Sequence, residues 1–162
     1  VSFFDQFEQS AWRLEVQPFY QPDAEEFSRW QQGVTASSDM RAWWVEQVAV
    51  ATAAGRYVGR VLVVSLPLSP YWQWRLETAR EHVAAGEDIR IAVVDYAPVL
   101  AQLDTDFWLL DDTSARVLAY SPDGRFLDNV EEHRPKVLRR CRHDRDLAMA
   151  PSVPLQEFLL PA

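Results

Sequence analysis

Apolar residues recur along this chain in two rhythms, one suited to strands and one to helices, and their succession lays out the elements. Val58 to Ser65, VGRVLVVS, is a β-branched run bounded by Gly and Pro, the pattern of a strand buried on both faces, with Arg60 near its start. Ser69-Pro70 then sets a capping residue and a first-turn proline before YWQWRLETAREHVAA, and Gly86 stands at the left-handed C-cap position. Asp88 to Val94, DIRIAVV, reads as the next strand. Strand, helix and strand occupy about 37 residues, the length of a right-handed crossover joining parallel strands.

Upstream, Val1 to Tyr20 mixes Phe3, Phe4, Phe7, Trp12 and Phe19 with charges, while Arg13-Leu14-Glu15-Val16 alternates, which predicts a short helix and then an edge strand. Asp23 and Glu26 resemble a capping box, Phe27 and Trp30 share a helical face, and Gly33 supplies a stop, so a helix is expected near 23–32. Ser38 or Asp39 caps another helix, in which Trp44, Val48, Ala51 and Thr52 recur until Gly55. That helix is apolar on most sides, so a central place is expected for it.

Downstream, residues 97–103 hold one or two helical turns, and Asp106 to Leu110, DFWLL, reads as a third inner strand. Ala115 to Tyr120 and Arg125 to Val130 flank Ser-Pro-Asp-Gly, the signature of a type I turn closing a hairpin. A helix from about Glu132 to Ala150 tolerates Pro135 only in its first turn, and a short Leu155 to Leu160 segment follows Pro154. The expectation is a single α/β domain over 1–162: a central mixed, mostly parallel sheet with one C-terminal antiparallel hairpin and flanking helices.

Composition narrows the function classes. The 162 residues fit one core, and a 48% hydrophobic fraction with seven Trp, eight Phe and five Tyr excludes disorder. The net charge of -8 repels phosphate backbones, so direct nucleic-acid binding is disfavoured. The lone Cys141 can form no internal disulfide, no early segment has the build of a signal peptide, and no apolar run reaches about 18 residues. A soluble, cytoplasmic protein without membrane association is expected. From His133 to Asp146, six Lys or Arg face two Asp, a local +4. Arg139 and Arg140 on this helix could meet an acidic partner or a second copy, against the ordinary alternative of a solvated face.

FFDQFEQSAWRLE, RVLVVSLPLSPYWQWRLE, AGEDIR, and DFWLLDD followed by SPDGRF together make the chain resemble, over nearly its whole length, an actinobacterial family of uncharacterised domains. Members of that family are often encoded beside helix-turn-helix regulators, so the resemblance implies a regulatory or partner role and no assigned activity. A weaker, fold-level similarity is to one half of the phospholipase D type α/β domain, whose enzymes need His-x-Lys followed by Asp. Here His133 is followed by Arg134 and Pro135, with Lys136 one place too far, and two residues beyond His82 and His143 stand Ala84 and Arg145. That reaction's machinery is missing.

Ligands in open α/β sheets sit outside the carboxyl ends of parallel strands. If DFWLL runs parallel to the other two strands, Ser65, Ser69 and Tyr71 converge there with Asp95, Asp111 and Asp112, and Arg75 lies close by. The competing readings are a helix cap for Ser69 and an ordinary turn for Asp111-Asp112-Thr113-Ser114. A metal is not expected: Asp106 and Asp111 would lie about 17 Å apart along a strand, leaving only Asp111 or Asp112 with Asp95 to share an ion. Ser65 lacks a nucleophile elbow, Cys141 lacks an identified base, and the glycines build no phosphate loop, so no cofactor is implied. Trp72 and Trp74 lie about 200° apart on their helix, so at least one ring is expected at the surface as an interface anchor, unless a second layer of core covers both.

These readings favour a non-enzymatic regulatory or protein-interaction domain, with a protein partner and room for ligand gating at the strand carboxyl ends. A helix-turn-helix regulator is the partner the resemblance implies. The alternative is a small-molecule enzyme with a non-standard acid/base site near Asp95, Asp111 and Tyr71.

Overall fold

In the computed structural model, which describes residues 1–158, seven strands form one sheet: β1 (Ser10–Glu15), β2 (Tyr57–Val64), β3 (Asp88–Val93), β4 (Asp106–Leu110), β5 (Ser114–Tyr120), β6 (Phe126–Glu132) and β7 (Val153–Pro154). Their order is β6-β5-β4-β1-β2-β3-β7. The helices are α1 (Ala24–Gln31), α2 (Asp39–Ala53), α3 (Pro70–Ala84) and α4 (Pro135–Met149), with short 3-10 turns at Phe3–Asp5, Gln21–Asp23 and Pro98–Gln102. Together they make a single α/β domain.

The helix starts follow their local chemistry. The Ser69 side chain accepts a hydrogen bond from the backbone N–H of Trp72 at 3.2 Å, and Ser38 does the same for Arg41 at 3.2 Å. Pro70 and Pro135 each occupy a first turn, where no N–H is missed. Gly86, at φ 109°, ends α3 in a conformation that disfavours a side chain.

The sheet differs from the expected one in direction. Only β1–β2 and β2–β3 are parallel; β1–β4, β4–β5, β5–β6 and β3–β7 are antiparallel. The sheet is therefore mostly antiparallel, and its antiparallel part is a β4–β5–β6 meander followed by α4 and β7, not one C-terminal hairpin. The cause lies in the connections. A parallel return needs a crossover, usually a helix, whereas only a 3-10 turn at Pro98–Gln102 separates β3 from β4, and tight links join β4 to β5 and β5 to β6. All five residues of DFWLL are buried, and a strand apolar on both faces reads alike in either direction.

Two placements also change. β1 is not an edge strand: it pairs with β2 on one side and β4 on the other. α2 is not central; it buries only Val48 and Ala51 and leaves Met40, Trp43 and Val50 exposed. β7, a pair of residues against Arg90 and Ile91, lies between the expected helix and the expected 155–160 segment, where no strand is expected. Of the segment expected at 155–160, residues 155–158 form a turn, and Leu159 and Leu160 lie outside the described residues.

Strand alternation assigns the two faces. Trp12, Leu14, Val61, Val63, Phe107 and Leu109 point to one side, where Leu138, Cys141 and Ala148 of α4 and Leu100 cover them. Ala11, Arg13 and Glu15 of β1, Val58, Arg60 and Leu62 of β2, and Asp106 and Trp108 of β4 share the other side, which lies beneath α1, α2 and α3. Charged residues at the middle of a covered sheet face set up the site.

Candidate functional site

The parallel register places Arg13 of β1 directly beside Arg60 of β2 on the covered face. Like charges so opposed destabilise a sheet unless acids intervene. Glu15, two residues along β1, is that acid: its carboxylate accepts from Arg75 of α3 at 2.9 Å and lies 3.4 Å from both Arg60 and Arg13. Burial pushes this carboxyl up, but the charges of Arg75, Arg13 and Arg60 outweigh it and hold Glu15 well below the usual carboxylate range.

Two further nodes extend the network. Glu87, just before β3, accepts from Arg60 Nε and from the Trp44 indole N–H at 3.0 Å, and lies 3.0 Å from His82 Nδ1. Burial opposes its ionisation, yet Arg60, His82 and Trp44 bring its pKa down to about 2. Asp106, fully buried, accepts from the Tyr20 hydroxyl at 2.6 Å and the Val16 N–H at 3.0 Å. Here burial wins over Arg13 and Tyr20, and the carboxyl is raised. On the outer side, Tyr71 donates to Asp23 at 2.6 Å, and Arg75 donates to the Tyr71 hydroxyl at 2.9 Å and to Asp23 at 3.2 Å.

Above this network lies a cavity of about 320 Å³. Arg13, Glu15, Arg60 and Arg75 form its charged floor, while Tyr20, Trp44, Trp108 and Tyr120 supply rings. The Arg60 guanidinium lies 5.4 Å from the Trp44 ring and 5.7 Å from Trp108; that of Arg13 lies 5.7 Å from Trp108 and 5.8 Å from Tyr20. At the rim, Arg41 binds Glu26 at 2.8 Å and Glu81 at 3.3 Å, and Glu26 also accepts from the Ser38 N–H, tying α1, α2 and α3 together. Arg13 Nε is buried without a hydrogen-bond partner, and the Arg13 contacts come from Nη2 alone: Tyr120 OH at 3.2 Å, Glu15 at 3.4 Å and Asp106 at 3.6 Å.

Of the residues anticipated from sequence, Tyr71 and Arg75 belong to this site. The others do not join it. Because β4 is antiparallel to β1, its carboxyl end lies at the amino ends of β1 and β2, so Asp111 and Asp112 stand at the opposite end of the sheet from Ser65 and Asp95. The expected convergence of Ser65, Ser69, Asp95, Asp111 and Asp112 is corrected on that ground. Ser69 caps α3, Ser65 is exposed, and Asp95 accepts from the Leu66 N–H at 2.8 Å. Burial pushes the Asp111 carboxyl up, but the backbone N–H groups of Glu8, Gln9 and Ser10, which donate to it, together outweigh burial and lower its pKa. Asp112 pairs with Arg145 at 2.6 Å.

The expected exposed ring on α3 is also corrected: Trp72 and Trp74 are 4% and 3% exposed. Trp74 packs on Phe27 of α1, whose presence makes the second layer of core, and Trp72 packs on Tyr71 beneath the Arg75 guanidinium. Arg139 and Arg140 are exposed on α4, where Arg140 contacts Asp144 at 3.3 Å and Asp104 at 3.7 Å. Cys141 is buried, and burial together with the nearby Asp144 raises its thiol to about 11.

The residues that sequence reasoning missed are Arg13, Glu15, Arg60, Glu87 and Asp106. A signal was available: each stands in or beside a strand whose neighbours are apolar, and charges inside such strands are buried only when paired. Among the described residues, no group of three or more His, Cys, Asp or Glu is placed to hold a metal ion, and no helix is long and apolar enough to cross a membrane. No curated protein matches the chain in sequence. Residues 1–160 match a family described as a domain of unknown function, DUF6879, and with all but the last two residues inside that match, the chain belongs to this family.

Proposed function

We propose that this is a non-enzymatic regulatory domain whose cavity beneath α1 and α2 receives a small molecule, and whose occupancy is read by a protein partner. The observation that carries the reading is the ring-lined cavity with Arg13 and Arg60 in its wall, where the contacts of Arg13 come from Nη2 alone.

The charges favour binding over catalysis. Glu15 and Glu87, the carboxylates paired with the central arginines, are held ionised far below neutral pH, which makes them poor acids and poor bases. Asp106 is raised but lies behind Tyr20 and takes no part in the cavity wall. The alternative acid/base set of Asp95, Asp111 and Tyr71 has lost the shared location that motivated it.

Partner signalling rests on two supports. α1 has no fully buried residue and is tied over the cavity by the Glu26, Asp23 and Arg41 contacts, so a ligand meeting these groups changes the surface that α1 and α2 present. The resemblance to actinobacterial domains encoded beside helix-turn-helix regulators supplies the class of partner.

The test combines a metabolite panel, read by thermal denaturation of the purified domain, with capture of a co-encoded helix-turn-helix regulator in the presence and absence of each hit. The reading expects a hit that raises Tm, alters capture, and loses its effect in Thr78→Trp, which fills the cavity from α3. Hits that act equally on Thr78→Trp, or none across the panel, would refute it.

A further inference from the structure

We infer that the cavity selects a small planar carboxylate, its anionic group seated at Arg13 and Arg60 and its unsaturated body against Trp44 and Trp108. This assignment rests on the ligand-binding reading above and adds the chemistry of the ligand.

Charge comes first. The cavity wall holds four arginines (Arg13, Arg41, Arg60, Arg75) and three carboxylates (Glu15, Asp23, Glu26), while Glu81, Glu87 and Asp106, outside the wall, also pair with Arg41, Arg60 and Arg13. The arginines differ in how fully their donors are used. Arg75 is satisfied by Glu15, Asp23 and Tyr71, whereas Arg41 lies 2.8 Å from Glu26 and 3.3 Å from Glu81 with its Nη1 buried without a hydrogen bond. Arg13 has no acid nearer than 3.4 Å and an unpartnered Nε, and Arg60, beside it in register, leans on Glu87 through Nε while its Nη1 stays 3.4 Å from Glu15. A guanidinium with free donors is the group best matched to a carboxylate, which can accept two parallel N–H bonds from it.

Competing ligands fare worse. A cation would face arginines whose carboxylates are already engaged. A neutral planar molecule would leave Arg13 less fully paired, and an unsatisfied buried donor carries the whole cost of its desolvation. Shape agrees: about 320 Å³ corresponds to roughly ten waters at ~30 Å³ each, enough for one or two fused rings with a carboxylate. Trp44 and Trp108, with ring centroids 5.7 Å apart and planes inclined at 46°, offer faces to such a body.

The test uses the full chain, isothermal calorimetry and a matched pair of probes: naphthalene-2-carboxylate and naphthalene-2-carboxamide, equal in shape and different in charge. The carboxylate is expected to bind at least tenfold more tightly. In Arg13→Met that preference should collapse to less than twofold, and Arg13→Lys, the safer variant for folding, should retain an intermediate preference. Equal binding of the two probes to the wild-type protein, or tighter binding of the carboxamide, overturns the ligand class while leaving the cavity as a binding site. Binding of neither probe also overturns the class; the broader reading then stands or falls on the metabolite panel and Thr78→Trp.

Discussion

Glu15 is the point at which the site and the stability of the fold meet, and Glu15→Gln tests both. Glutamine keeps the volume but removes the charge, and it turns an N–H₂ group toward donors. Three guanidiniums lose their shared acid: Arg75 at 2.9 Å, and Arg60 and Arg13 at 3.4 Å each. None is left bare, because Arg75 keeps Asp23 at 3.2 Å, Arg60 keeps Glu87, and Arg13 keeps Asp106 at 3.6 Å. Breaking a buried pair from one side costs about 3–5 kcal/mol, and the surviving partners place this variant near the lower figure, at about 3 kcal/mol. Equilibrium unfolding in urea at pH 7 measures the loss, and an unchanged m-value would show that compactness is intact. The pH dependence follows from the sign of the shift. The folded Glu15 carboxyl titrates below its ordinary 4.5, so its contribution is complete above that pH and is lost as pH falls through the folded value. The deficit of the variant should therefore shrink on acidification below 4.5, while the residual slope due to Glu87 persists in both proteins. A deficit under about 1 kcal/mol at pH 7, or one that does not shrink in acid, would refute the claim that Glu15 holds the three arginines together.

Other predictions address packing and reactivity. Trp72→Ala, at a ring only 4% exposed, should cost about 3–5 kcal/mol in the same unfolding assay; a loss under 1 kcal/mol would mean the ring is not core. Gly33 and Gly124 both have positive φ, at 86° and 85°, but a Cβ at Gly33 meets nothing within 4 Å, whereas one at Gly124 falls 2.3 Å from the Phe19 carbonyl oxygen. Both alanine variants carry about 1–2 kcal/mol of left-handed strain, and Gly124→Ala should lose about 1–3 kcal/mol more; equal losses would contradict the close approach. Cys141, buried and raised to about 11, should resist iodoacetamide at pH 8 in the native protein and react on unfolding, as followed by intact mass.

What was legible in the sequence is local. Ser69-Pro70 and Gly86 bracket α3 because a cap, a prealigned φ and a left-handed stop are decided within a few residues, and the strands on either side follow from β-branched runs. Direction and order were not legible. DFWLL buries all its residues whichever way it runs, and the burial of Trp74 depends on α1, an element more than forty residues upstream.

The site escaped notice because attention to the carboxyl ends of parallel strands presupposes an open parallel sheet. Only three strands here are parallel, and their carboxyl ends carry residues that cap turns, such as Asp95 on the Leu66 N–H. The functional charges instead lie along the middle of the sheet face, where strand alternation places Arg13 and Glu15 two residues apart and the β1–β2 register adds Arg60. An isolated arginine in VGRVLVV is costly to bury, as is a lone glutamate in AWRLEV; their presence inside apolar strands already requires that they meet. Stability, however, would be served by apolar replacements, which are often at least as stable as a buried ion pair. A buried guanidinium nitrogen without a hydrogen bond in each of Arg13 and Arg41 is a poor arrangement for stability alone. It is a good one for a cavity that waits for an anion.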